Sequence, residues 1–525
     1  MNHLKLKRTV TLTALAGIPF LAMGACSDDP KAPPPSGGLG GSTSGMTGGS
    51  GMTGGSGMTG GKATGGAGGA APVTGGAGGA APVTGGSPGT GGDPATGGMA
   101  GQAGAVGGTG GTPPVAVCDP GKNSVGADLP AMAIPNPTGT MTLTKDKVWI
   151  LSDVTYVADG QTLTIEPCTV VKGTAAPLGS LVVSRGGKLM ASGTADEPII
   201  FTSQGTVGSR AAGDWGGVIL LGRADNWSSP DQLIEGLPSA AVNQYGRGAG
   251  AAMPTESSGE LRYVRIEFGG FELSAGKEIN GLTMGSVGSG TVVSHVMVST
   301  TLDDCFEWFG GNVNADHLIC NATGDDMFDA DLGYVGTLDT AFGRNSLTTA
   351  TTSSDPNGFE MDSDNTNNLP PTTNVTAKNV TLCGLGGVGP AASFGMVLRE
   401  NLTGAFDNIV VTGWDEGVDV RNIFGTAAAP KVTLINSLFN NRLQHIRDAA
   451  DANDSTAVGD PTPFDEVAWV NVGASLNMVG VSPGYTDAEC LEAAGPAATV
   501  KNSAKGAFKT DAAWMTGKWV SWAAN

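Results

Sequence analysis

The sequence predicts an all-β solenoid, a parallel β-helix, and three observations carry that prediction. From Cys118 onward, short β-branched runs alternate with Gly, Asn and Asp, whereas long helical periodicity is scarce. Residues 295–316 align without gaps on 317–338, matching His295 with His317, Asp303-Asp304 with Asp325-Asp326, and Phe306 with Phe328. A period in the low twenties, built of strands and tight turns, is that of a chain coiled into stacked rungs. Finally, one alternating pattern recurs at Leu282, Phe306, Phe328, Phe359 and Val418, which strand geometry places on the inner face, with Glu307, Asp329, Glu360 and Asp419 facing outward.

The elements follow in chain order. Residues 1–25 have a basic start (Lys5, Lys7, Arg8) and an apolar stretch from Val10 to Ala22, the pattern of a signal sequence. They end in Leu21-Ala22-Met23-Gly24-Ala25-Cys26, which resembles the lipobox of bacterial lipoproteins. That resemblance implies lipidation of Cys26, anchoring to the membrane through the lipid, and, with Ser27 following, an outer-membrane location, surface-exposed or periplasmic. Residues 26–117 are a Gly/Ser/Thr/Pro-rich tether with two copies of Gly-Gly-Ala-Gly-Gly-Ala-Ala-Pro-Val-Thr, too poor in apolar side chains to offset chain entropy. As a disordered Gly-rich chain it would span about 50–57 Å.

Residues 118–485 are assigned to the β-helix with its amino-terminal cap, and 486–525 to a carboxy-terminal cap whose Trp514, Trp519 and Trp522 suit covering a final rung. Rungs of 22–30 residues would number roughly 13–18 at about 4.7–4.9 Å each. The body's six cysteines, Cys118, Cys168, Cys305, Cys320, Cys383 and Cys490, permit disulfides in an exported chain but leave the pairing open. Buried thiols are the competing reading, and no C-x-x-C metal spacing occurs.

Segments 148–151, 163–173, 181–189, 197–203, 213–222, 261–270 and 324–334, among them Gly213-Asp-Trp-Gly-Gly and Gly324-Asp-Asp-Met-Phe-Asp-Ala-Asp, resemble a family of exported bacterial β-helix lipoproteins. The resemblance implies a right-handed helix of the pectate-lyase-like type and no settled activity.

Composition narrows the function. With 28 Lys+Arg against 48 Asp+Glu, net charge −20, the chain lacks the clustered cations that nucleic acid requires. Its 86 glycines follow no three-residue period, which excludes collagen. The strongest candidate for chemistry is the acidic column Asp303, Asp304, Glu307, Asp325, Asp326, Asp329 and Asp331, continued by Glu360 and Asp362. Carboxylates stacked on adjacent rungs repel unless a cation or a proton intervenes. Outside the cell Ca²⁺ is the expected cofactor, with Asp304, Glu307, Asp326, Asp329, Asp331, Glu360 and Asp362 as ligands. Asp and Asn also serve simply to end strands.

A calcium-dependent polysaccharide lyase or glycoside hydrolase would use the same groove. Asp303, Asp304, Asp325 and Asp326 would be its carboxylates, and Arg399 or Arg421 its base. Those arginines equally suit pairing with Glu400 and Asp419. No Gly-His-Gly, G-x-S-x-G or P-loop motif accompanies the column. His295 and His317 are expected to form a ladder, a two-histidine metal site being the alternative, and Trp215 to pack in a tight turn, a sugar platform being the alternative. The leading expectation is a surface lipoprotein whose β-helix binds extracellular polysaccharide or a surface protein, or builds the envelope, without catalysis.

Overall fold

The computed structural model describes residues 129–274, 277–346, 356–363, 370–386, 393–421, 432–443 and 478–522. The signal sequence, Cys26, the tether and Cys118 lie outside the described residues. The body is a right-handed parallel β-helix, the hand that right-twisted strands impose on such crossovers. A 16-stranded and a 9-stranded sheet line its sides, and within both every pairing is parallel.

The first coil uses three separate strands, Thr140–Leu143, Val148–Leu151 and Val154–Val157. From Gly259–Glu267 to Thr403–Thr412 the first two of each coil fuse into one bent strand, and they separate again as Val432–Ile435 and Leu438–Asn440. Gly259–Arg262 continues the face of Leu189–Ser192, and Val264–Ile266 that of Ile199–Phe201, so Tyr263 is the corner. Pairing skips the corner residue on each coil. Tyr263, His295, His317, Thr340, Asn379, Asn408 and Asn436 all take the left-handed conformation there, φ 49–62°. Asn tolerates that conformation, and at the later corners it also links coils: Asn408 Nδ2 donates to Asn379 Oδ1 (2.9 Å), and Asn379 Nδ2 to Asp339 Oδ1 (2.8 Å).

The core is a set of vertical files. Leu282, Phe306, Phe328, Phe359, Met396 and Val418 stand in register and are fully buried. Phe306 stacks on Phe328 with centroids 5.4 Å apart and planes 10° from parallel. The predicted inner file is therefore present, with one further coil, Phe394–Arg399, that the repeat pattern did not include. Twelve strands succeed one another along the longest path among the described residues, fewer than the 13–18 rungs expected. Two segments account for much of the difference, because they clothe the sides instead of adding coils.

The first is the insertion 223–258. Its Ile234 and Tyr245 pack on Val182, Ile219, Leu221 and Phe309, on the outer face of the 9-stranded sheet. Asn226 Nδ2 donates to Ser286 Oγ (3.0 Å) and the Trp227 N–H to Leu332 O (3.1 Å). Gly285 makes room for it, since a Cβ there would meet the Tyr245 ring at 2.7 Å.

The second is the tail. Rather than covering a final rung, residues 485–522 run back along the flank of the 16-stranded sheet. Tyr485, Cys490, Val500, Phe508, Trp514 and Trp519 bury the outward file Met297, Ile319, Phe342, Val410 and Leu438. The Lys518 N–H reaches Ala195 O (2.7 Å), near the amino-terminal coils. A flank of exposed apolar residues would otherwise face water, so burying it outweighs capping one coil end. Cys383–Cys490 fastens the tail, Cys305–Cys320 crosses the core, and Cys168 is also disulfide-bonded.

Candidate functional site

The acidic column lies on the outer side of the 9-stranded sheet and in the turns that lead into it. Three structural roles divide it.

Asp304 and Asp326 belong to a ladder with Asn280 and Asn357, one per coil. The Asp304 N–H donates to Asn280 Oδ1 (3.2 Å) and the Asp326 N–H to Asp304 Oδ1 (2.7 Å). The Asn357 N–H donates to Asp326 Oδ1 (2.6 Å) and the Phe394 N–H to Asn357 Oδ1 (3.1 Å). Each side chain thus satisfies the backbone donor at the same position of the next coil, which would otherwise be buried unpaired. An amide does this at two rungs and a carboxylate at two, so the ladder needs an acceptor oxygen and no charge.

Glu307, Asp329, Glu360 and Asp419 do point outward, but they are not a solvent-facing groove. Their exposures are 3, 3, 8 and 1 %, and those of Asp304, Asp326, Asp331 and Asp362 are 5, 4, 7 and 3 %. Burial, ahead of any other cause, pushes the Asp304, Glu307, Asp326 and Asp329 carboxyls well above the usual carboxylate range, and neighbouring acids push the same way. The insertion adds to the charge: Glu235 bears on Glu307 and is itself raised to about 8 by burial, then by Glu278 and Asp331. One oxygen each of Asp304, Glu307 and Asp329 lies within 4.8 Å of the others, and Asp329 Oδ1 is buried with no hydrogen-bond partner.

Arg399 neutralises the far end. It is bound to Glu360 and, at 2.6 Å, to Asp362, both on the preceding coil. Arg421 stands in register with Arg399, and its side chain lies outside the described residues. Only Asp303 and Asp325 of the predicted carboxylates are half-exposed, on adjacent coils, within the second cluster Asp303, Asp304 and Asp325.

Residues 136–475 match the family described as a pectate-lyase like beta helix domain, about two-thirds of the chain. The chain belongs to that family. No curated protein matches it. Membership of the pectate-lyase-like β-helix family agrees with the coil described above and leaves open whether this member is a catalyst.

Two other candidates in this β-helix resolve structurally. Trp215 is completely buried, stacked on Phe201 at 6.3 Å and donating to Glu267 O (2.8 Å), so it offers no platform to a sugar. His295 and His317 stack in parallel, centroids 4.2 Å apart and planes 8° from parallel. The pair is a ladder, and with Asp316, which accepts from Ser294 Oγ (2.6 Å), it forms a further group whose ligand atoms lie within 4.8 Å of one another. Trp519 and Trp514 cover its edge. The ladder of Asx acceptors and the approach of Glu235 were not legible in the sequence, although Asn at two of four equivalent positions signalled hydrogen bonding over charge.

Proposed function

We propose that this chain is a surface lipoprotein whose β-helix is a non-catalytic binding or structural domain, engaging extracellular polysaccharide or a surface protein, or building the envelope. The observation that carries the reading is the burial of Asp304 and Asp326, two of the four carboxylates that a lyase or hydrolase would use. General acid–base work needs a group within hydrogen-bond reach of a bound substrate. Asp304 and Asp326 are occupied in the ladder, and Arg399 is clamped between two carboxylates, so it makes a poor free base. The lipobox-like Leu21–Cys26 and the tether support attachment at the cell envelope.

Incubation of the purified protein with acidic polysaccharides tests this. Saturable binding to one of them, or none, with no unsaturated or reducing ends accumulating, is expected. Turnover abolished by Asp303→Ala or Asp325→Ala, with the fold kept, would make the protein a polysaccharide-degrading enzyme instead.

A further inference from the structure

We propose that Asp304, Glu307 and Asp329 hold one divalent, oxygen-seeking cation, Ca²⁺, which pins the 223–258 insertion onto the coil. The inference takes from the functional reading only that these carboxylates are architectural. Among the described residues, one oxygen from each side chain falls within 4.8 Å of the other two. Calcium–oxygen distances of about 2.3–2.6 Å make a ligand sphere about 4.6–5.2 Å across, so oxygens this close fit on a single ion. Mg²⁺ holds its waters and demands a near-ideal octahedron, which suits a dry trio of carboxylates less well.

A cluster of acids does not by itself require an ion. Glu360 and Asp362, on the coil next to Asp329, are paired with Arg399, whose charge acts more weakly on Asp329. Asp304, Glu307 and Asp329 have no ion pair among the described residues, and Asp329 Oδ1 is shut from water without accepting a hydrogen bond. A buried, unpartnered carboxylate oxygen is strongly disfavoured. The insertion sharpens the conflict. Its apolar residues press it onto the sheet, and that docking brings Glu235 near enough to Glu307 for like charges to repel. A divalent ion between the sheet and the insertion offsets the charge that docking concentrates. Asn280, whose Nδ2 donates to Glu307, steadies one ligand.

The experiment uses full-length protein stripped with EDTA and titrated calorimetrically with CaCl₂ or MgCl₂ alone. Melting is followed without metal and in about 5 mM Ca²⁺, because extracellular calcium modules bind at roughly 10⁻⁴–10⁻³ M. One Ca²⁺ per chain, a higher melting temperature in Ca²⁺, and protease cleavage within 223–258 that Ca²⁺ suppresses are expected. Asp329→Asn should lose the calcium-induced rise yet melt no lower than the unsubstituted protein in EDTA, since it removes a buried charge while keeping the shape. Identical melting of the unsubstituted protein with and without Ca²⁺ would overturn the site, as would a full calcium response in Asp329→Asn. If that variant fails to fold, the titration of the unsubstituted protein still decides. Polysaccharide turnover would defeat the functional reading and leave this titration untouched, whereas absent calcium uptake would defeat the site alone.

Discussion

Acidification should loosen the carboxy-terminal strap, and His295 is the group through which it acts. His295 sits at a coil corner between Tyr263 (4.4 Å) and His317 (4.2 Å), with the edge of Trp519 against it at 5.4 Å. Burial first, then the neighbouring His317, lowers it from 6.5 to about 4. Arg262 acts in the same direction, while Asp316 and Asp511, the latter on the strap itself, oppose it. Because the folded value lies below the unfolded one, the docked strap favours the neutral ring. Its stabilisation is complete above pH 6.5 and is lost as pH falls from 6.5 towards 4. At full value that difference is about 3.4 kcal/mol, and solvent screening of a half-buried ring reduces it to about 1–2 kcal/mol. Strap opening should therefore rise about 5–30-fold across that window. Tryptophan fluorescence and protease cleavage within 500–522, followed from pH 7 to 4.5, measure it. His295→Asn, the residue that occupies the same corner at 379, 408 and 436, should flatten the response. An unchanged pH profile in that variant, or no opening in the unsubstituted protein, would refute the reasoning.

Other consequences are equally direct. Phe328→Ala, which empties a site stacked on Phe306 and meeting Phe359 edge-on, should cost about 3–5 kcal/mol in urea unfolding. Replacing both Cys383 and Cys490 by Ser opens a loop of more than a hundred residues and should cost about 2–5 kcal/mol, with the tail becoming protease-sensitive first. Gly285→Val, placing atoms where the Tyr245 ring lies, should expose 223–258 to protease while far-ultraviolet circular dichroism of the coils stays unchanged.

The repeat was legible because stacking puts chemically matched side chains at one period: Phe306 and Phe328 pair in register as the alignment of 295–316 with 317–338 requires. Alternation likewise separated the inner file from the outer acids. What alternation cannot express is what covers the outer face. Glu307 and Asp329 read as solvent-facing because strand period reports direction, yet both are buried on a face where an insertion beginning some eighty residues before Glu307 packs on Phe309 and Leu332. The tail misled for a related reason. Trp514, Trp519 and Trp522 announce a large apolar surface to be covered, but choosing between a coil end and a flank depends on the file Met297–Ile319–Phe342, whose outward apolar residues are visible only once the register is known. The corner residues were hidden too, since His, Thr, Asn and Tyr share a backbone conformation and not a chemistry.

The account stands on the acidic column being part of the architecture of the coil, and the double substitution Asp304→Asn/Asp326→Asn examines that most directly. Amide oxygens already fill the same ladder positions at Asn280 and Asn357, and the substitution also removes two buried, mutually repelling charges. In EDTA at neutral pH the variant is predicted to melt at or above the temperature of the unsubstituted protein. A matching Asp304→Ala/Asp326→Ala variant should melt well below it, because two backbone N–H groups lose their acceptors, at about 1–3 kcal/mol each. An amide variant as unstable as the alanine one would contradict the account.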